Sequence, residues 1–557
     1  MKINKILLIV LSLALCICFL AACTTNGTES TSATTTKNDL GNIDDDDISS
    51  DYDDKNSTKV VFSNDFVTIK GIGASARATE VRIGAQGTYV LSGSSNSGSI
   101  IIDAGKNEVK LVLNGLSLSN NDGPAILVKN AKKVTFTLVE GTNNILSDGA
   151  LYYLYEGNAT VDGTIFAKSE LVFNGTGSLT VNGNNAHGIV SKDGLIIAGG
   201  NINVNSKSAG ICGKDYIKVA NANITINAGT DGLRSDNIND AGMGYIAIQG
   251  GNFDITSAND AIQAQDEVKI EGGSFKIKTT STDALASAKG IKGVKSVKIL
   301  GGSFVVDSID DAIHSDGNVH ISGGEISISS LDDGIHANNE LLISNGDVVI
   351  HKSYEGLEAT LIKISGGDIE INSTDDGINS AGGNDQSAGD DSFAGNNGGI
   401  VIEGGYIAIH SGADGIDTVG AFNMSAGVLL VDGPSSIKSG ALDFGSTASI
   451  TGGVVVALGL SDSASSFTDA TQGVALVKNN NYAANTVYSI CDEGGNVIIA
   501  FTSTKEFNGM LISAPEFNVG ATYTVYKGAS VLGLDKNGFA HNTTQNGGEN
   551  CGSIRFE

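Results

Sequence analysis

The sequence predicts an all-β protein, a parallel β-helix solenoid followed by a small C-terminal β region, and three observations carry that expectation. First, a glycine pair followed by alternating polar and apolar residues recurs along the chain: GGNINVNS (199), GGNFDITS (250), GGSFKIKT (272), GGSFVVDS (301), GGEISISS (323), GGDIEINS (366) and GGYIAIHS (404). Alternation with a period of two marks a strand with one buried face. Second, neighbouring copies in the regular stretch lie 22 residues apart, from 250 to 272 and from 301 to 323, and a fixed period of this size is the signature of stacked repeat units. Third, a second strand before each glycine pair lines up in two apolar columns. One is Leu195, Ile217, Ile246, Val268, Val297, Val319, Leu341 and Ile362; the other is Ile197, Val219, Ile248, Ile270, Ile299, Ile321, Ile343 and Ile364. Branched residues stacked at one turn position are what a packed solenoid interior requires. Neither the Leu-x-x-Leu-x-Leu core of leucine-rich repeats nor the Gly-Gly-x-Gly-x-Asp nonapeptide is present.

From the N-terminus, Lys2 and Lys5 precede an apolar stretch that ends in Leu20-Ala21-Ala22-Cys23. Residues 1–22 read as a secretory signal peptide, and the last four residues resemble a bacterial lipobox, which makes Cys23 the expected lipidation site. The expected location is extracytoplasmic, with the chain lipid-anchored to the bacterial cell membrane. Residues 23–58, rich in Thr, Ser, Asn and Asp, read as a flexible linker. Residues 59–460 are the expected solenoid, roughly 16 coils and on the order of 75 Å long at the ~4.8 Å strand spacing. Its regularity breaks at 235–244, 287–294 and 381–399, which read as loops. Residues 461–557 lose the repeat and read as a C-terminal cap or small β domain. Past the signal, the cysteines Cys23, Cys212, Cys491 and Cys551 match neither a disulfide framework nor a zinc pattern. With 34 basic and 62 acidic residues, net charge −28, the chain lacks the footprint of a nucleic-acid binder.

The acidic residues are not scattered. An acid, then Gly or Ala, then Ile or Leu recurs with Asp231, Asp260, Asp283, Asp311, Asp333, Glu355, Asp376 and Asp414 in the first slot, and Asp310, Asp332 and Asp375 precede three of them. Stacked coils would make this a ladder of like charges one strand spacing apart. Two such charges ~5 Å apart repel by about 0.8 kcal/mol in water and by roughly 3 kcal/mol at an effective dielectric of 20. Asp-Gly is also a good turn former, but Asn would make the same turn without repulsion. A hard divalent cation between coils removes the conflict, and oxygen-only ligands suit Ca²⁺. A second acid lies three residues on in two coils, Glu358 after Glu355 and Asp417 after Asp414. His314 and His336 hold the same +3 slot; they read either as ligands of a softer metal or, with no thiolate nearby, as the preferred surface or substrate-contacting imidazoles.

Several longer phrases carry a family resemblance: GTYVLSGSSNSGSIIIDAG (87–105), LVLNGLSLSNNDGPAILVKNA (111–131), TDGLRSDN (230–237), AKGIKG (288–293), DDAIHSDGNVHISGG (310–324), KSYEGLEA (352–359) and DDGINSAGG (375–383). From about Gly87 to Tyr526 the chain resembles the clostridial carbohydrate-binding parallel β-helix proteins, which are secreted or lipid-anchored. The resemblance implies a right-handed helix, calcium sites in the acidic column similar to those of pectate lyases, and binding of plant cell-wall polysaccharide, notably polygalacturonate and cellulose. It places calcium on the acids of DDAI, DDGI, YEGLEA and ADGID. His187 and Ala209 stand where the family shows acid, so the site is expected to begin near Asp231.

So acidic a chain should repel a polyuronate, and calcium bridging protein and sugar carboxylates resolves this. Outward lysines are expected to assist: Lys269, Lys298 and Lys363 on one strand, Lys289 and Lys292 in AKGIKG. Two other readings stay open. A calcium-dependent pectate lyase would use Arg234 or Lys292 as base; a structural adhesin would use calcium only as a stiffener.

Overall fold

Three strands separated by corners make one coil, and Ser274–Thr279, Ile291–Gly293 and Ser296–Ile299 show why the sequence folds this way. In the first strand Phe275 and Ile277 are buried while Ser274, Lys276 and Lys278 are exposed, as a strand with one face in a core requires. Gly302 carries the chain into the next coil with φ of +109°. A Cβ there would lie 2.9 Å from the Gly273 carbonyl oxygen of the neighbouring coil, so conformation and close approach both demand glycine.

The computed structural model describes residues 41–152, 161–282, 287–380, 398–434 and 439–557, and Gly41–Glu557 form one compact unit. Within it each strand of a coil pairs in parallel with its counterparts in the coils on either side: Phe275 lies opposite Phe253 and Phe304, Ile291 opposite Ile262 and Ile313, Val297 opposite Val268 and Val319. Parallel stacking of this kind runs from Thr58–Phe62 to Val454–Gly459, giving an all-β fold with one large, mostly parallel sheet wound as a solenoid. Both apolar columns read from the sequence are in register, and every member is at most 1 % exposed. A further interior column was not anticipated: Phe253, Phe275 and Phe304 stack with centroids 4.6 Å apart and planes within 6°.

Both ends close with antiparallel pairing. Val67–Lys70 folds back on Thr58–Phe62, and Ala74–Arg77 on Glu80–Ile83. Beyond Gly459, Phe507–Ser513 pairs antiparallel with Val454–Gly459 and Val474–Tyr482, and a five-stranded antiparallel sheet follows. Asp432, on the last coils, grips the loop at 503–505. Its carboxylate accepts hydrogen bonds from the Ser503 hydroxyl (2.6 Å) and from the Thr504 amide (3.0 Å) and hydroxyl. Among the described residues Cys212 and Cys491 are buried thiols and Cys551 an exposed one, none in a disulfide.

Two expectations need correction. Residues 41–57, taken as part of the flexible linker, lie against the coils. Lys133 Nζ is 2.5 Å from the buried Asp47 carboxylate, Asn174 Nδ2 donates to the Asp47 carbonyl (2.9 Å), and Lys218 and Gln249 donate to the carbonyls of Asn42 and Gly41. The segment lacks apolar residues for a core of its own, but its backbone carbonyls satisfy side-chain donors of successive coils. The loop assigned to 287–294 does not span those residues, because Ile291–Gly293 is a strand of the solenoid.

Burial would push the Asp432 carboxyl up, but His410, Ser503 and Thr504 hold it down at about 2. A carboxylate depressed from 3.8 stabilises the fold above pH ~4 and loses that contribution as the pH falls through 2. Asp432→Asn is expected to cost about 2 kcal/mol at neutral pH and to flatten the acid side of the stability profile, measured by urea unfolding between pH ~7 and ~2.

Candidate functional site: a strip of stacked carboxylates

The corner before each three-residue strand positions the site. Leu233, Ile262, Ile291, Ile313, Ile335, Leu357, Ile378 and Ile416 stack inward across coils. The residues two places earlier therefore form one column: Asp231, Asp260, Lys289, Asp311, Asp333, Glu355, Asp376 and Asp414. A parallel column lies three residues on: Arg234, Gln263, Lys292, His314, His336, Glu358, Asn379, Asp417 and Asp443. Asp283, expected in the first column, lies outside the described residues, and its coil fills the slot with Lys289. The phrase Asp283-Ala284-Leu285 imitates the repeat, but backbone pairing selects Lys289-Gly290-Ile291: the Lys289 amide donates to Asp260 Oδ1 (2.9 Å) and its carbonyl accepts from Ala261.

That amide bond recurs. Asp311 Oδ1 accepts from the Asp333 amide (3.0 Å), Asp333 Oδ1 from Glu355 (3.1 Å), Asp376 Oδ1 from Asp414 (2.7 Å) and Asp414 Oδ1 from Gly440. Each carboxylate satisfies a corner N–H in the next coil through a charge-assisted bond. The acids thus hold the corners together as well as repelling one another.

The strip then divides in two. Around Asp311 the charge is neutralised from within. Lys289, 3 % exposed, sits 2.7 Å from Asp310 and 2.8 Å from Asp311. His314 lies 2.7 Å from Asp311 and 2.8 Å from Asp316; His336 lies 2.7 Å from Glu358 and 3.3 Å from Asp333. Burial works against the charge of Asp311, yet the Lys289 ammonium holds that carboxyl well below the usual range. Burial likewise disfavours a charged His336, but Asp333 and Glu358 raise it well above an ordinary histidine. The two imidazoles stack 4.9 Å apart and are 3 % and 1 % exposed, so they are not the substrate-contacting surface groups expected. Lys289 is equally removed from solvent and serves as an internal counter-ion.

Further along the column the described residues supply no cation to the acids. Among the described residues no Lys, Arg or His forms an ion pair with Glu355, Asp376, Asp414, Asp417 or Asp443. Burial first, then the Glu358 charge, pushes Glu355 up to about 9. Burial raises Asp376 to about 7 and Asp414 and Asp417 to about 6. Single carboxylate oxygens of Asp376, Asp414 and Asp417 lie within 4.8 Å of one another; Asp376 is buried and the other two are half-buried. Asp443, stacked on Asp417, was missed because its coil has Gly440 in the acid slot; the phrase Gly-Ala-Leu-Asp keeps the spacing. The sets Asp310–Asp311–Asp332, Asp311–His314–His336 and Asp333–His336–Glu358 are as compact, but their ligand atoms already share Lys289 or bind one another. Asp375 adjoins the open group, and Asp231 is taken by Arg234 (3.2 Å).

The remaining lysines do not converge here. Lys269, Lys298 and Lys363 lie on the third strand of their coils, paired with Glu271 (2.6 Å), Glu267 (2.7 Å) and Glu403 (2.8 Å). Lys292 alone of the five belongs to the strip without being buried.

A solenoid whose functional groups are columns on an outer face belongs to the class of repetitive all-β binding scaffolds. Residues 77–334 and 329–481 match the family described as carbohydrate-binding domain-containing protein, and the chain belongs to that family. Over 153 residues it is 36 % identical to a carbohydrate-binding domain-containing protein of Acetivibrio thermocellus, covering 27 % of this chain and 54 % of that one, so the chain spans about half the length of this relative. A solved structure, the polysaccharide lyase-like protein from C. thermocellum as a gadolinium derivative, is 30 % identical with a TM-score of 0.40, covering 48 % of this chain and 96 % of that chain.

Replacing Lys289 by Met strands two buried carboxylates and is expected to cost about 3–5 kcal/mol. The loss should shrink at mildly acidic pH, where the carboxyls take protons instead, as urea unfolding at two pH values would show. Glu355, raised from 4.5 to about 9, imposes no penalty below pH ~4.5 and an increasing one as the pH rises through 9. Chelator-treated protein is therefore expected to melt at falling temperature from pH ~5 to ~9, with a flatter profile for Glu355→Gln.

Proposed function

We propose that this carbohydrate-binding protein is a calcium-dependent binder of acidic plant cell-wall polysaccharide, polygalacturonate or pectin, with the neutral glucan cellulose as a second ligand, held at the bacterial cell surface by lipid on Cys23. One observation carries the reading: Asp376, Asp414 and Asp417 bring carboxylate oxygens within 4.8 Å of one another, no Lys, Arg or His among the described residues is paired with them, and Asp414 and Asp417 are only half-buried. An all-oxygen set of this charge suits Ca²⁺. These residues would hold the ion, with Glu355, Asp375 and Asp443 adding to the field, and a bound calcium would leave coordination positions for sugar carboxylates. The solenoid is read as a right-handed parallel β-helix, since parallel crossover connections are right-handed in nearly all cases. The lyase reading is weaker, because Arg234 is paired with Asp231 and Asp236 and a guanidinium held by two carboxylates is a poor base.

Electrophoresis through gels containing polygalacturonate tests the proposal. With calcium the protein is expected to be retarded; with chelator, or with Asp376→Asn and Asp414→Asn together, retardation should disappear. Mobility unchanged by polygalacturonate in calcium would overturn it. Unsaturated uronate ends accumulating in the ultraviolet would establish the lyase instead, and calcium-dependent melting without retardation the adhesin.

A further inference from the structure

A chain with 62 acidic and 34 basic residues nevertheless gathers four cations around one hollow. The hollow, about 520 Å³, lies on the same outer face as the carboxylate strip, over the coils that lead up to Asp231. It is lined by Lys168, Lys192, Lys214 and Arg234 with His187 and Asp236. The lysines are a column of their own. The Lys192 amide donates to the Ala167 carbonyl (2.8 Å) and the Lys214 amide to the Ser191 carbonyl (3.0 Å), which sets all three at one position of successive coils, ~4.8 Å apart per coil.

Beside them run Phe166, Val190 and Cys212, paired across the same coils and buried. Lys192 Nζ lies 5.5 Å from the Phe166 ring centroid. Arg234 follows Cys212 in this column and is fixed by Asp231 at 3.2 Å and Asp236 at 3.4 Å. Along this column lysines over an apolar floor precede Arg234, and the coils beyond it bring in the carboxylates of the strip, interrupted by Lys289, Lys292, His314 and His336.

Like charges repel at this spacing by about 1 kcal/mol per pair even in water, and the fold does little to offset it. Among the described residues Lys168 and Lys214 form no ion pair, and Lys192 has only Asp162 at 4.0 Å. Unneutralised cations repeating along a concave wall complement a ligand whose negative charges also repeat.

We propose that this hollow is a second, metal-independent binding site for an acidic saccharide, its lysines receiving the charged groups of successive sugar units. The groove's preference for anions stands on its own geometry; the choice of a saccharide rests on the reading above. Lysine side chains here do what calcium does on the carboxylate strip, so one anionic chain lying along the face would meet positive charge in both sections.

The test is calorimetric titration of the full chain with a defined oligogalacturonate in excess chelator. Binding that weakens with added salt is expected, and Lys168→Ala with Lys214→Ala should weaken it about tenfold or more. Both lysines are surface groups, and an unchanged melting temperature would confirm that the variant is folded. The methyl-esterified oligomer, the same sugar without charge, should not bind. Absence of binding in chelator, equal binding of the esterified oligomer, an unaffected double variant, or full displacement by equimolar inorganic phosphate would each overturn the proposal. The Asp376→Asn, Asp414→Asn variant separates the two readings: it should lose calcium-dependent retardation and keep titration in chelator. Retardation failing in the native protein while this titration succeeds would remove the calcium reading and leave the groove.

Discussion

Backbone pairing between coils places every side chain next to its own counterpart one strand spacing away, and the rest of the molecule follows from that constraint. Inward, it stacks isoleucine on isoleucine and phenylalanine on phenylalanine, and like residues pack well because their shapes repeat. Outward, the same rule brings like charges together, where repetition is unfavourable. A sequence that repeats to fill its core must therefore manage repetition on its surface.

The carboxylate strip shows three ways of doing so. Aspartates at the corners accept the amide of the next coil, so each charge has a hydrogen bond that the fold itself needs. Where two acids meet in the interior, a buried ammonium or imidazole balances them, as Lys289 does for Asp310 and Asp311. At Asp376, Asp414 and Asp417 the described residues supply no such cation, and burial raises all three carboxyls above the usual carboxylate range. Charge that the fold leaves unbalanced is where an external partner gains most from binding. The lysine column before Arg234 is the same situation with the sign reversed.

Much of this was legible from residue spacing. The interior columns could be read because burial imposes a period of two along the strand and one coil between copies, and no other arrangement satisfies both. The acid phrases could be read because they share that register. Legibility failed at the coil holding Asp283, where two nearby phrases fit the apolar pattern and the acid bias favoured the wrong one. It failed for His314 and His336, whose types suggest a surface but whose neighbours in adjacent coils supply enough charge to bury them. Asp443 was hidden by the glycine in its acid slot, and the lysine column by its setting in coils that lack the acid signal.

The sequence by itself determined the solenoid, its columns and the placing of acid at one corner of the coil, because each depends only on spacing along the chain and on which side of a strand a residue falls. Tertiary structure alone decided which of those acids are spoken for. That Asp311 is neutralised depends on the Lys289 side chain turning inward across a coil boundary to Asp310 and Asp311, an orientation that the 22-residue spacing from Lys289 to Asp311 does not encode.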